Sequence, residues 1–520
     1  MSKIQRALCL ILVLVMCLGV FAGCQKPNES KDPKDTDETV NGDATDDDTE
    51  DTIDDKTETV DPKVRDDLKE TYSFGDGVQE FVILSRASTT YELKAPDGVQ
   101  LGGVEQAIFD RNAEVSERCN IEINVTPQAG EWVDKDTFLQ TVRSNRLLPT
   151  SQFDLITTHQ AYLVSASTEG AGWDFTDLPN IEVTKAWWSE VYYDECNYNG
   201  AIYMMYGDIA YTLYEYLEVM FFNEQMAESL SIGDLYDLAI DGGWTFAKLK
   251  EYTQMIETSL DAAEEDREYG LLINTHSIRA FGTSFNCDLT TKKDDGTREF
   301  SKSLGAAVSE RMQGLTDFLG LTNQVYRAAG DYMGEDEHNP VFSEGRALFY
   351  AQMLGEASYF TENMTMDYGV LPFPKYDENQ KDYRTEVSDE VSAVLAPFNC
   401  KNAEMTGTVT EMMSMISYFD VITVYYGEKL QYQYFNNPMC VQSLNIIRSS
   451  FAPSFTMVYS FPLDYINSML PGAVGSTVSA GASVAIDGIY STKAGTSRKL
   501  LRDIYIALDK IPAKQEQARG

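Results

Sequence analysis

Three histidines, eight cysteines and 82 acidic residues are the groups with which this 520-residue chain could do chemistry. His159, His276 and His338 are scattered and form no His-Glu-x-x-His pair, so the zinc site of a thermolysin-type hydrolase is absent. No Gly-x-Ser-x-Gly elbow presents a serine nucleophile, and no Gly-x-x-x-x-Gly-Lys-Ser/Thr loop is there to cradle phosphates. A glycoside-cleaving pair needs only two carboxylates about 5 to 10 Å apart, which so acidic a chain leaves open. The run Asp46-Asp47-Asp48 lacks the spacing and closing glutamate of a calcium loop, and neither a metal nor another cofactor is expected. Cys119, Cys196, Cys287, Cys400 and Cys440 lie beyond the first 24 residues with no Cys-x-x-Cys pair. Their odd number leaves at least one thiol free or paired between molecules, and their simplest role is as small buried apolar groups.

The remaining cysteines belong to the N-terminal region. Lys3 and Arg6 precede an apolar run from Ala7 to Phe21, too short for a comfortable membrane span and followed at once by polar sequence. The run ends Phe21-Ala22-Gly23-Cys24, which resembles the bacterial lipobox, with Phe21 where leucine is usual. That resemblance implies that residues 1–23 are a signal peptide and that Cys24 receives diacylglycerol. Acyl chains contribute about 0.8 kcal/mol per buried CH2, so they would hold a soluble body durably on the outer face of the cytoplasmic membrane. From residue 24 to about residue 72 the chain is rich in Asp, Glu, Thr and Lys. Residues 25–70 hold 18 acidic and 7 basic groups and almost no large apolar ones. Such a segment buries too little to offset the entropy of ordering, so a disordered acidic tether spanning roughly 35–40 Å is expected.

The formal net charge is −41. A surface this negative repels phosphate backbones, which excludes nucleic acid as a partner. Length points to more than one lobe in the body, residues 73–515. Glu80–Leu84 is a continuous apolar run, as in a strand buried on both faces. A helix follows Gly102-Gly103 with Val104, Ile108 and Val115 on one side. Ile121, Ile123 and Val125 then alternate as a strand that Pro127 should stop. A helix over about 135–147 leads to the strand Phe153–Ile156. Strand, helix, strand, helix, strand at this spacing predicts a parallel sheet with right-handed crossovers, whose ligands sit beyond the strands' carboxyl ends. That rule points at Ser85-Arg86 and at Thr157-Thr158-His159, and the positions after the first and third strands make Ser85, Arg86, His159 and Gln160 the candidates. Gly200–Tyr206, Leu217–Phe222, Arg346–Tyr350 and Tyr368–Leu371 read as further strands. Thr245 reads as a helix N-cap with Trp244 and Leu249 as its hydrophobic staple, so Trp244 is a packing residue. The segment 401–470 is mostly helical, with a last helix over Lys499–Leu508.

In this order the landmarks resemble the extracellular solute-binding proteins of sugar-type ABC importers, the family containing maltose-binding protein. The carriers are Asn112-x-x-Val115 through Val125, Phe153–Ile156, Trp187-Trp188, Gly200-x-Ile-Tyr203 with Gly207-Asp208, Val219–Asn223, Gly243–Phe246, Phe342-x-x-Gly-Arg-Ala-Leu348 and Tyr368–Pro374. The likeness runs from about residue 75 to about 510. It implies an α/β, two-lobed, periplasmic-binding-protein-like fold of type II with a hinge. The first lobe would hold about 75–205 and 340–390, the second about 215–335 and 395–510. It also implies a monomer that carries a carbohydrate ligand, with an ABC permease and its ATPase as partners and no catalysis. Position adds Tyr206, Asp208, Glu215, Gln352 and Glu356 to the four candidate ligand residues above. A surface glycan-capture protein without a transporter, a glycoside-acting enzyme, or the same fold carrying a peptide, polyamine or lipid remain the competing readings.

Overall fold

The computed structural model describes residues 68–256, 261–320, 324–327, 335–435 and 437–519. The leader, Cys24 and the tether up to residue 67 lie outside them. Among the described residues, two mixed α/β sheets organise the body.

The first sheet grows from alternating strands and helices: β1 (Gln79–Arg86), α1 (Gly103–Cys119), β2 (Ile121–Gln128), α2 (Lys135–Arg146), β3 (Leu155–His159) and α3 (Gln160–Thr168). β1 lies between β2 and β3 and is parallel to both. Phe81, Ile83 and Leu84 are fully buried, as the apolar run requires. Pro127 does not stop β2: it pairs with Ser85 inside the strand. β2 is the outer strand of its sheet, so an imide without an N–H is tolerated there.

The second sheet is built from β4 (Glu218–Asn223), then α4 (Phe246–Thr253), β5 (Tyr269–Ile273), α5 (Thr275–Ser284), a hairpin of β6 (Thr290–Lys292) and β7 (Arg298–Phe300), α6 (Ala306–Leu319), β8 (Val325–Arg327), β9 (Ala347–Met353) and β10 (Tyr368–Leu371). The five sheet strands stand in the order β10-β4-β9-β5-β8. Every residue of β4, β5, β9 and β10 is buried. Thr245 occupies the N-cap of α4, although its hydroxyl makes no capping bond. Trp244 and Leu249 are both fully buried, and the Trp244 indole N–H donates to the Pro372 carbonyl at 2.9 Å.

The chain then returns. β11 (Ser392–Leu395) pairs antiparallel with β3 in the first sheet. α7 (Ala403–Ile416) packs on α1, and α8 (Cys440–Ser449) packs on β10 of the second sheet. α9 (Met469–Ala480) lies against α6, and α10 (Ile486–Leu508) lies against α6, α9 and α3. Three expectations need correction. Residues 340–390 are expected in the first lobe, but β9 and β10 within them pair with β4 and β5, and residues 395–510 are expected in the second lobe, but α7 within them packs on α1 of the first. The exchange between lobes falls instead near residue 386. Neither strand carries a sequence mark of which sheet it joins, because both sheets take the same continuous apolar strands. Gly200–Tyr206 forms no strand, only isolated bridges at Ala201 and Met205. The helix expected over Lys499–Leu508 begins already at Ile486, and a further helix, α11 (Ile511–Arg519), follows α10. The buried stripe of α10, Ile486, Tyr490, Ala494, Ser497, Leu501, Ile504 and Leu508, keeps helical spacing while hiding it behind small residues.

α7 holds the first lobe together. Its Glu411 carboxylate accepts both neighbouring indole N–H groups, from Trp187 and Trp188, each at 2.8 Å. This close approach needs Gly407, where an added Cβ would fall 1.9 Å from the Pro179 carbonyl oxygen. Gly407→Ala therefore forces α7 off the loop before it, and overpacking of this kind typically costs about 1–3 kcal/mol. Urea denaturation should show the loss as a lower midpoint with an unchanged slope.

Candidate functional site

Two short segments connect the sheets and run side by side. Glu218 donates its N–H to the Glu386 carbonyl, Ser388 donates to Tyr216, and Leu217 pairs with Val387. Side chains alternate across such a ladder. Tyr216 and Glu218 point one way, towards Arg86 and Ser277. Leu217 points the other way, into a separate cavity.

On the Tyr216 side both lobes bring cations to the turn Asp389–Glu390. Arg86, at the end of β1, is 1% exposed. It donates from Nη2 to the Glu390 carbonyl (3.2 Å) and to the Tyr216 hydroxyl (3.3 Å). His159, at the end of β3, sets Nδ1 3.1 Å from the Asp389 carbonyl. From the second lobe, α5 supplies Arg279, whose Nη1 lies 3.6 Å from the Asp389 carboxylate, and His276, 3.8 Å from it. Arg279 also reaches His276 Nδ1 at 2.7 Å, and Ser460 donates to Asp389 at 2.9 Å. Burial, then the neighbouring Arg86, pushes the His159 imidazole down to about 3, and burial with Arg279 depresses His276 as well. Both rings are neutral at pH 7.

Near this turn several buried polar atoms have no protein partner: His159 Nε2, Gln160 Oε1, the Tyr162 hydroxyl, Arg86 Nε and Arg279 Nε. Buried polar groups are rarely left so, and each costs about 1–3 kcal/mol until something pairs with it. Aromatic rings flank them. Trp132, 36% exposed, lies with its ring 6.5 Å from Tyr162, 6.1 Å from Phe461 and 5.8 Å from Tyr465. Asp464 and Tyr465 hold left-handed backbone (φ 57° and 49°), strained for residues with side chains. Mixed donors and acceptors beside aromatic faces can hold a small polyhydroxylated solute. Among the described residues no group of three or more metal-ligating side chains is assembled.

The nine sequence-selected residues divide accordingly. Arg86, His159 and Gln160 meet at this junction, Gln160 donating to the Met457 carbonyl at 3.0 Å. Ser85 sits beside them, but its hydroxyl donates to the Arg86 carbonyl. Tyr206 stacks on Tyr192 with ring centroids 3.5 Å apart, both phenols buried and both within the field of Asp389. Asp208 accepts from the Tyr214 hydroxyl at 2.6 Å and lines the cavity on the far side of the ladder. Glu215 accepts from Tyr91 at 2.6 Å. Gln352 accepts from Asn274 (3.3 Å), the N-cap of the helix that carries His276 and Arg279. Glu356 accepts from Asn339 at 2.7 Å, a contact internal to the second lobe.

Sequence reasoning passed over Asp389, Glu390, His276, Arg279 and Tyr216. The apolar run Tyr269–Ile273 had the same character as β1 and would have drawn attention to His276 just beyond it. The turn Asp389–Glu390 lies in an acidic stretch with no period to mark it.

This is the architecture of the two-lobed solute-binding proteins. No family model matches the chain, and no curated protein sequence does. Solved structures match it over most of its length. The galacto-N-biose/lacto-N-biose I-binding protein of the Bifidobacterium longum ABC transporter, in complex with lacto-N-biose, aligns with 83% of this chain and 98% of its own at TM-score 0.53 and 15% identity. The GacH receptor of Streptomyces glaucescens, solved unliganded and with acarbose, aligns with 82% and 99% at TM-score 0.52 and 11% identity. The maltose/maltodextrin-binding domain MalE of Bdellovibrio bacteriovorus, bound to maltotriose, aligns with 82% and 100% at TM-score 0.50 and 13% identity. At such identities the likeness establishes the fold. No helix among the described residues is long and apolar enough to cross a membrane.

The buried acids set a pH dependence. Burial raises Asp208, Glu218, Glu386 and Glu411 each to about 7. Their folded pKa values exceed the unfolded ones, so the stability they contribute is complete below about pH 4 and is lost as pH rises through 7. His159, His276 and His338 are depressed and oppose this only below their unfolded value of about 6.5. Between pH 6.5 and 8 the acids act alone, so calorimetry should record a melting temperature that falls across this interval.

Proposed function

We propose that this chain is a lipid-anchored, extracellular solute-binding protein that delivers a carbohydrate, in particular an oligosaccharide, to an ABC importer by hinged closure of its two lobes. The observation that carries this reading is the junction at Asp389–Glu390. Each lobe contributes buried hydrogen-bonding atoms that lack protein partners, next to an exposed aromatic rim, in a fold whose solved counterparts hold lacto-N-biose, acarbose and maltotriose. Sugar hydroxyls both donate and accept, and their CH faces pack on rings, so one ligand can meet both features. As a carrier, the protein releases the solute unaltered. The permease and ATPase are the partners, and the diacylglyceryl group on Cys24 is the membrane contact. The protein works as a monomer.

A thermal-shift screen of neutral mono- and oligosaccharides on the full chain in a non-glycosidic detergent tests the ligand class. A sugar at 100 times its dissociation constant stabilises by about 2.7 kcal/mol. At least one should raise the melting temperature, and Arg86→Gln or His159→Ala should weaken it at least tenfold by calorimetric titration. If peptides or polyamines stabilise and no sugar does, the carbohydrate assignment fails. Released reducing ends after incubation with an oligosaccharide would instead make it an enzyme.

The anchor has its own test. Radiolabelled palmitate should enter the chain during expression in a bacterial host, and Cys24→Ser should abolish incorporation. Labelling that survives the substitution would place the acyl group elsewhere.

A further inference from the structure

On the opposite face of the hinge ladder from the Asp389–Glu390 junction lies a cavity of about 280 Å3. Its walls come from three places: Trp188 from the first lobe, Asp208 and Tyr214 from the first crossing, and Tyr418, Arg448 and Phe451 from the return. Leu217 forms part of its floor, whereas its neighbour Tyr216 faces Arg86 on the other side. No residue of the Arg86, His159 and Asp389 cluster lines it.

The polar groups here are spread over aromatic faces. Asp208 is 3% exposed and held by the Tyr214 hydroxyl at 2.6 Å. Arg448 stands at the mouth, its guanidinium 5.6 Å from the Tyr214 ring centroid and 4.8 Å from that of Tyr426. Among the described residues it makes no ion pair with a carboxylate within 4 Å. At pH 8, above the value of about 7 to which burial raises Asp208, an anion entering would meet the Asp208 carboxylate and a cation would meet Arg448, so each charge sign is opposed by one wall. A neutral compound with hydroxyls can accept from Arg448 and donate to Asp208 while its apolar face lies on Trp188, Tyr418 or Phe451. The volume is at the low end for small-molecule sites, enough for one ring and not for a chain.

We propose that this hinge-side cavity is a second binding site, for a neutral, polyhydroxylated single ring such as a monosaccharide or cyclitol. It goes beyond the cleft reading and stands whether or not the cleft binds carbohydrate.

Saturation-transfer-difference NMR and calorimetric titration on the full chain in a non-glycosidic detergent decide it. The probes are D-glucose, D-galactose, D-mannose, D-xylose and myo-inositol, with D-glucuronate and D-glucosamine as charged controls. At least one neutral ring should bind wild type and Arg86→Gln equally, and should bind Asp208→Ala at least tenfold more weakly. Should Asp208→Ala fail to fold, Phe451→Trp carries the test, because it narrows the cavity without removing a hydrogen bond and should weaken the same signal at least tenfold. The charged controls should bind at least tenfold more weakly than the neutral ring. The proposal is overturned if no neutral ring binds, if Phe451→Trp leaves binding unchanged, if Arg86→Gln removes it, or if a charged control binds more tightly. Loss with Arg86→Gln would assign the sugar to the cleft, so the two sites are told apart by which variant silences the signal.

Discussion

Two strand-like segments, Tyr216–Glu218 and Glu386–Ser388, hydrogen-bond to each other where the chain passes between its sheets, and the rest of the molecule is arranged around that pairing. A ladder only a few residues long is stiff along its strands and free to twist about them. Two lobes joined by it can therefore rotate while their own cores stay intact. The ladder also separates two environments, because successive residues must face opposite sides. Tyr216 and Glu218 look towards the cleft and Leu217 towards the hinge-side cavity.

The surroundings fix this hinge to the first lobe. Arg111 on α1, 1% exposed, donates to the Glu92, Leu93 and Ile209 carbonyls and to the Ser417 hydroxyl. Glu92 in turn accepts from the Thr212 N–H and the Ser392 hydroxyl, each at 2.7 Å. A buried charge is costly unless its hydrogen bonds are satisfied, and both of these are. Removing either would leave its partners stranded at the root of the crossing. The return beyond Ser417 is π-helical over Ser417–Val421 and Tyr425–Tyr434. Such wide turns are uncommon and tend to occur where function requires an irregular helix.

At the cleft, the same turn that completes the hinge is gripped from both lobes, by Arg86 and His159 from one and by Arg279 and His276 from the other. Under the proposed hinged closure, lobe rotation would rearrange these contacts, and a solute pairing with the partnerless atoms nearby would bias the angle at which the lobes rest. Keeping the two histidines neutral avoids stacking four positive charges around a single aspartate.

What the sequence determined is local. The apolar runs of β1 and β3 fix strands, because only a strand buried on both faces reads that way over so few residues. The strand-end rule pointed at Arg86 and His159, which the fold brings to the Asp389–Glu390 turn. The stripe of α1 was equally plain, while that of α10 was hidden by alanine, serine and tyrosine within it. What tertiary structure decided is which sheet each later strand joins, and hence that Asp389–Glu390, remote in sequence from His159 and His276, lies between them. A strand's own residues specify its pairing edges and its buried faces but not its neighbour. Partner choice is settled only when whole lobes pack, so residues whose role depends on that packing carried no signature in the chain itself.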